Sequence, residues 1–203
     1  RTPLAVFPRQ INEIYAVIEW LESNGEEISI DVEKLAVVGN SVGGNMAAAT
    51  AMAAKARNGP DIKLQILMLP VVNVDFQTNS YKSYGADRFL TGEMMEWMYG
   101  MYLSRKADWL DPYAAPLLAE SAQMAGLPPT LIQVAENDIL RDDAEAYGRK
   151  LDQAGVEVTT IRYNGTIHDF SLLNGLANTP QNRSLFMHAA AELRTRLCIC
   201  AEK

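Results

Sequence analysis

The chain is short of cysteine, of histidine, of positive charge and of long apolar runs, and each shortage removes a class of protein. Two cysteines, Cys198 and Cys200, cannot make a disulfide framework, so a reducing compartment is the easier setting. With no further Cys or His beside them, they read as two small apolar residues on a terminal helix, and no metal site is expected. Lys and Arg number 18 against 25 Asp and Glu, a net charge of −7, and no local basic patch interrupts the excess. Such a surface attracts neither nucleic acid nor anionic membrane, so neither is expected as a partner. The longest apolar stretch, Leu64 to Val72, carries Gln65 and Pro70 and falls far short of the roughly 20 residues of a spanning helix. No membrane span is expected, and a soluble, cytoplasmic protein is the expectation. Residues 1–7 lack the basic and apolar regions of a secretory signal. The chain opens on Arg1 rather than Met, so a longer polypeptide, of which these 203 residues are part, is also expected.

What is present suits one domain with a substantial core, since 48% of the residues are apolar. After Pro8, the residues Ile11, Ile14, Tyr15, Ile18 and Leu21 recur at helical spacing and Asn24-Gly25 supplies a stop, which predicts a helix over 8–23. Leu35-Ala-Val-Val-Gly39 is a continuous apolar run ending in glycine, the pattern of a strand buried on both faces of a parallel sheet. A sharp turn at Asn40 to Asn45 leads into an Ala- and Met-rich helix that lasts until Asn58-Gly59-Pro60. Leu64 to Leu69 and Thr130 to Ala135 read as further buried strands, Arg141 to Ala154 as a helix closed by Gly155. The β-branched run Val156 to Tyr163 suits a last strand nearer the sheet edge. Thr179-Pro180 caps a final helix to about residue 198. Strands and helices alternating in this way predict an α/β fold, a mostly parallel sheet with helices on both faces.

Between the second and third strands lies an insertion over about residues 73–127, too long for a simple crossover. Its segment Glu93-Met-Met-Glu-Trp-Met-Tyr-Gly-Met-Tyr-Leu103 fits an ordinary amphipathic helix against the core and equally a substrate-facing lid, with the two readings compatible on opposite faces. On the lid reading Met94, Trp97, Met98 and Met101 face an apolar substrate pocket, with Asn40 beside the turn.

Gly39-Asn40-Ser41-Val42-Gly43 matches G-x-S-x-G, a nucleophilic serine on a strained turn between strand and helix. Glycines on either side of the serine relieve crowding as the chain reverses, and the helix N-terminus aims its free N–H groups at developing negative charge. The N–H of Val42 is the expected oxyanion donor. An activated serine needs a base and an acid that orients it. His188 lies inside the last helix and reads as a surface or half-buried residue, whereas His168 follows the final strand at the carboxyl edge of the sheet, where ligands and catalytic groups gather. The acid is expected after the third strand at Asp138, with Glu136 the runner-up. Asp142 and Asp143 are explained by capping and dipole stabilisation of the helix they begin.

With these residues in place the chain resembles the hormone-sensitive-lipase-like branch of the α/β-hydrolases, over nearly its whole length. Gly39-Asn-Ser-Val-Gly-Gly44 is similar to that family's G-D-S-A-G-G, Asn137-Asp-Ile-Leu-Arg-Asp142 to its x-D-P-L-R-D, and Gly165-Thr-Ile-His-Asp-Phe170 to its G-x-x-H-G-F. Leu127-Pro-Pro-Thr and Asp111-Pro-Tyr-Ala-Ala-Pro116 are similar to its L-P-P-x and D-P-x-x-S-P. The resemblance implies a carboxylic ester hydrolase of small acyl esters that needs no cofactor. It leaves open a peptidase or lactonase on the same triad, a weak or silent small-ligand-binding protein, and a homodimer. Asn40, Val42, Ile139 and Asp169 depart from the pattern, at positions where the family has Asp, Ala, Pro and Gly. The family's His-Gly-Gly-Gly oxyanion segment and its first strands do not occur in these residues. The strand at Leu35 is therefore expected to expose an apolar edge, and the 203 residues alone are expected to be weakly active or inactive.

Overall fold

The structure, a computed structural model, describes residues 2–197. Cys198 and Cys200 lie outside them. Four strands, β1 (Leu35–Asn40), β2 (Ile62–Met68), β3 (Thr130–Asn137) and β4 (Val158–Ile167), form one sheet in the order β1-β2-β3-β4. Every pairing is parallel. All four therefore point their carboxyl ends the same way, and the residue after each strand falls on one rim. The register Asn40 to Met68 and Asn137 to Ile167 aligns those ends closely. β4 outruns its expected end at Tyr163 because the ladder shifts between Ala135 and Asn137, opposite the turn at Gly165, and pairing resumes at Ile167.

Helix α1 (Arg9–Asn24) buries Ile11, Tyr15 and Ile18 at the predicted spacing. Helix α2 (Val42–Ala56) is buried almost continuously from Gly44 to Ala54. Its alanines present little bulk, which lets the helix lie close against β1 and β2. On that face α1, α2 and α6 (Arg141–Gln153) enclose a core with Leu67, Ile132 and Val134. On the other face α7 (Pro180–Arg196) covers Leu64, Ile66, Leu131 and Tyr163 with Leu185 and Ala189. Thr179 caps α7 as the sequence requires, its hydroxyl accepting the N–H of Asn182 at 3.3 Å.

One strand is less buried than its own apolar residues predict, and exposes the edge that the family resemblance predicts. No residue of β1 is buried, and Val38 is 49% exposed, because among the described residues β1 has a neighbour on one side only. Ile14, Val17 and Trp20 of α1 are also exposed.

The segment between β2 and β3 folds into α3 (Asn79–Tyr84), α4 (Gly92–Tyr102), α5 (Ser121–Met124) and short 3-10 turns. Tyr81, Met95, Tyr99 and Tyr102 pack with Phe7, Ile11, Val71 and Leu140 in a third apolar cluster above the sheet rim. The segment is tied to α2 at its start and again after α4, where the buried Asn45 donates from Nδ2 to the carbonyls of Val71 at 3.0 Å and Ala114 at 2.9 Å. No helix among the described residues is long and apolar enough to cross a membrane.

Candidate active site

Ser41 occupies the turn between β1 and α2 at φ 55°, ψ −118°, a conformation that non-glycine residues rarely adopt. Three backbone bonds hold it there. Its N–H donates to Met68 at 2.8 Å, and its carbonyl accepts from Val71 and Asn45, each at 3.2 Å. The chain reverses so tightly that a Cβ on Gly39 would stand 1.9 Å from the Gly43 carbonyl oxygen. The second glycine with a steric reason is Gly44, where a Cβ would meet Pro70 at 2.8 Å. Gly43 itself has open space, which corrects the expectation that both glycines flanking the serine relieve crowding. Val42 opens α2, so its N–H has no acceptor within the helix.

His168 follows β4 directly and Asp138 follows β3, and the shared rim brings both to Ser41. The Ser41 Oγ lies 2.9 Å from His168 Nε2, and His168 Nδ1 lies 2.7 Å from Asp138 Oδ2. A carboxylate only accepts, so Nδ1 carries the proton and Nε2 is left to receive one from the serine. The other oxygen of Asp138 accepts the N–H of Leu140 at 3.0 Å. Asp138 and His168 are each only 2% exposed. Burial by itself lowers the basicity of His168. The Asp138 carboxylate, through charge and hydrogen bond, and Asp169, through charge, outweigh the burial and hold the imidazole above its ordinary pKa.

The remaining candidates separate. Glu136 points to Gly165, accepting its N–H at 2.7 Å, and His188 on the exposed side of α7 pairs with the Tyr163 hydroxyl at 2.7 Å. Neither joins the serine. Asp142 and Asp143 lie in the first turn of α6, but neither caps it, and they bind the insertion instead. Asp142 accepts the Ser80 N–H at 2.8 Å, and Asp143 accepts from Asn73 Nδ2 at 2.9 Å.

Beside Ser41 opens a cavity of about 310 Å³ with mostly apolar walls. Met98 and Met101 of α4 line it as expected. Met94 and Trp97 do not, being 44% and 65% exposed on the outer flank of the same helix. Their places are taken by Met95, Tyr99 and Tyr102, one and two turns along the inner face, with Met46 and Val71 opposite. Asn40 is not in the wall either; its amide donates to Asp169 Oδ1 at 2.7 Å. Sequence patterning set the pocket partly on the wrong flank of α4: Glu93, Glu96 and Gly100 recur at helical spacing and are exposed, which puts Met95, Tyr99 and Tyr102 on the inward side. It also missed Asn45 and Asp169, whose roles rest on partners far along the chain.

This arrangement can deprotonate a hydroxyl and offer a backbone N–H to an oxyanion beside an apolar cavity. The sequence pattern of the alpha/beta hydrolase fold matches residues 1–172. An α/β hydrolase of Acanthamoeba polyphaga mimivirus is 40% identical over 181 residues, covering 89% of this chain and 52% of the relative. The ethyl acetate hydrolase of Pseudomonas putida is 36% identical over 171 residues, 84% of this chain and 53% of that protein. A crystal structure of a thermostable esterase from Pseudomonas putida superposes with a TM-score of 0.95 at 45% identity, over 99% of this chain and 62% of the other. The chain thus spans about half the length of the curated relatives it matches.

Proposed function

The chain belongs to the α/β-hydrolase fold family, and on that premise we propose that it carries the nucleophile, base and acid of a carboxylic ester hydrolase of small acyl esters. The observation that carries the proposal is the unbroken hydrogen-bonded line from Asp138 through His168 to Ser41. Ser41 Oγ attacks the ester carbonyl carbon while its proton passes to His168 Nε2, and Asp138 stabilises the resulting imidazolium. The carbonyl oxygen becomes an oxyanion that takes the Val42 N–H. Collapse expels the alcohol with the proton from Nε2 and leaves the acyl group on Ser41; water, deprotonated by the same imidazole, releases the acid. This route needs no cofactor.

The apolar cavity supports an acyl group of modest size, and the insertion that forms its wall is read as a cap over the rim. The open edge of β1, the exposed Val38 on it and the partial coverage of the relatives support a longer hydrolase domain in which further polypeptide covers that edge. At the opposite side of the sheet, β4 is also an open edge among the described residues, and Phe186 and Met187 are exposed on α7, which supports a homodimer as the finer reading.

The test is covalent labelling of the full natural protein with a fluorophosphonate, together with turnover of short p-nitrophenyl esters against peptide amides. Ser41 is expected to label, esters to be preferred, and Ser41→Ala to lose at least about 10⁴-fold in kcat/KM. Absence of labelling favours a ligand-binding protein, and preferred amides favour a peptidase.

A further inference from the structure

Two departures from the family pattern, Asn40 in place of Asp and Asp169 in place of Gly, are separated by 129 residues and touch each other. Asn40 Nδ2 donates to Asp169 Oδ1 at 2.7 Å, and the far side of the Asn40 amide accepts from the Ser171 hydroxyl at 3.3 Å. That bond aims the carboxylate. The same Asp169 oxygen stands 3.5 Å from His168 Nε2, the nitrogen that faces Ser41, while Asp138 occupies the Nδ1 side. An aspartate at position 40 would put two carboxylates within hydrogen-bond distance; an amide supplies a donor instead.

We propose that Asn40 and Asp169 form a matched pair that stations a second carboxylate at the Nε2 edge of the catalytic imidazole, where it favours the imidazolium formed as Ser41 gives up its proton. The proposal rests on the triad reading above. Asp169 is a positioning residue: it makes no bond in the reaction and acts through the charge of His168. Its side chain is 25% exposed, so solvent weakens the attraction without abolishing it. The charged groups that bear on the imidazole are Asp138 from the loop after β3 and Asp169 from its own loop; from the Ser41 turn it meets the hydroxyl and the positive end of α2. Two carboxylates therefore act against burial and one helix dipole. The backbone allows the exchange in both directions, because Asp169 has φ 56°, a conformation glycine adopts freely and aspartate tolerates.

The test is an imidazole ¹⁵N NMR titration of the full protein, with the His168 signal assigned by its absence in His168→Gln. It is run on the native chain and on Asp169→Asn, Asp169→Gly, Asn40→Asp and the double variant Asn40→Asp with Asp169→Gly. The His168 midpoint is expected to fall by about 1 unit in both Asp169 single variants, and the acid limb of kcat/KM against pH to move with it. Asn40→Asp alone is expected to cost about tenfold or more in kcat/KM at neutral pH, and most of that loss is expected to vanish when residue 169 is glycine. A His168 midpoint that stays put in Asp169→Asn and Asp169→Gly, or an Asn40→Asp loss of equal size with either residue at 169, overturns the pairing. Turnover with an unmoved midpoint defeats the pair and leaves the triad. A midpoint that moves in a protein that neither turns over esters nor labels defeats the triad reading and leaves the pair.

Discussion

Asp143 is a carboxyl group in an environment built for a neutral one. It is 4% exposed and has one amide donor, Asn73. Burial, with the charges of Asp75 and Asp142 beyond the opposing Asn73 bond, pushes its pKa up to about 6. A carboxyl raised on folding favours the folded state fully below its unfolded pKa, near 4, and that contribution is lost as pH climbs through about 6. Asp143→Asn, which is never ionised, is therefore expected to gain on the native protein by about 2 kcal/mol between pH 4.5 and pH 8. Paired urea titrations at the two pH values measure it, and a difference that does not change with pH contradicts the assignment. A second contrast belongs to the nucleophile turn. Gly39→Ala, forced against the Gly43 carbonyl, is expected to lose about 1–3 kcal/mol or more, while Gly43→Ala, with room for its methyl, is expected to be neutral or stabilising. Both glycines belong to the same motif, so only the packing around each separates them.

Among the elements, α4 is where sequence and structure part most instructively. Glu93, Glu96 and Gly100 mark its solvent side, yet Met94 and Trp97, which flank that side, read as pocket residues on their apolar character alone. The inward residues Met95, Tyr99 and Tyr102 pack in one cluster with Phe7, Val71 and Leu140, which are distant in the chain. Elements with a clear stripe or a clear stop fared better. The ends of α1 at Asn24 and of α6 at Gln153, before Gly155 at φ 81°, fall within a residue of where Gly and Asn signals place them. The α4 wall makes a specificity prediction. Met98→Trp puts an indole where a flexible thioether lines the cavity, and should reduce kcat/KM for octanoyl relative to acetyl p-nitrophenyl esters by about tenfold or more. An unchanged ratio would mean that the acyl chain lies elsewhere.

For the molecule as a whole, the fold class could be read from alternation alone, because a parallel sheet forces strand, helix, strand in that order. The convergence of Ser41, Asp138 and His168 was legible for the same reason: each follows a strand, and parallel strands end together. The exposure of β1 was legible only through the family resemblance, since its own residues read as a strand covered on both sides. With that edge open, residues 1–203 alone are expected to self-associate, and Val38→Lys to reduce the association, as sedimentation velocity would show. An unassociated fragment would mean that the edge is closed by other means.

The side-chain amide of Asn45 reaches two points of the insertion, one before α3 and one after α4, from a helix whose first residue adjoins the nucleophile. The span between Val71 and Ala114, which carries α3 and α4 beside the cavity, is therefore held at both ends by one side chain of that helix. The carbonyl of Ser41 accepts the N–H of Val71, so the nucleophile turn and one end of the span also share a bond. The wall of the cavity and the setting of the hydroxyl are in this way built on a common set of bonds.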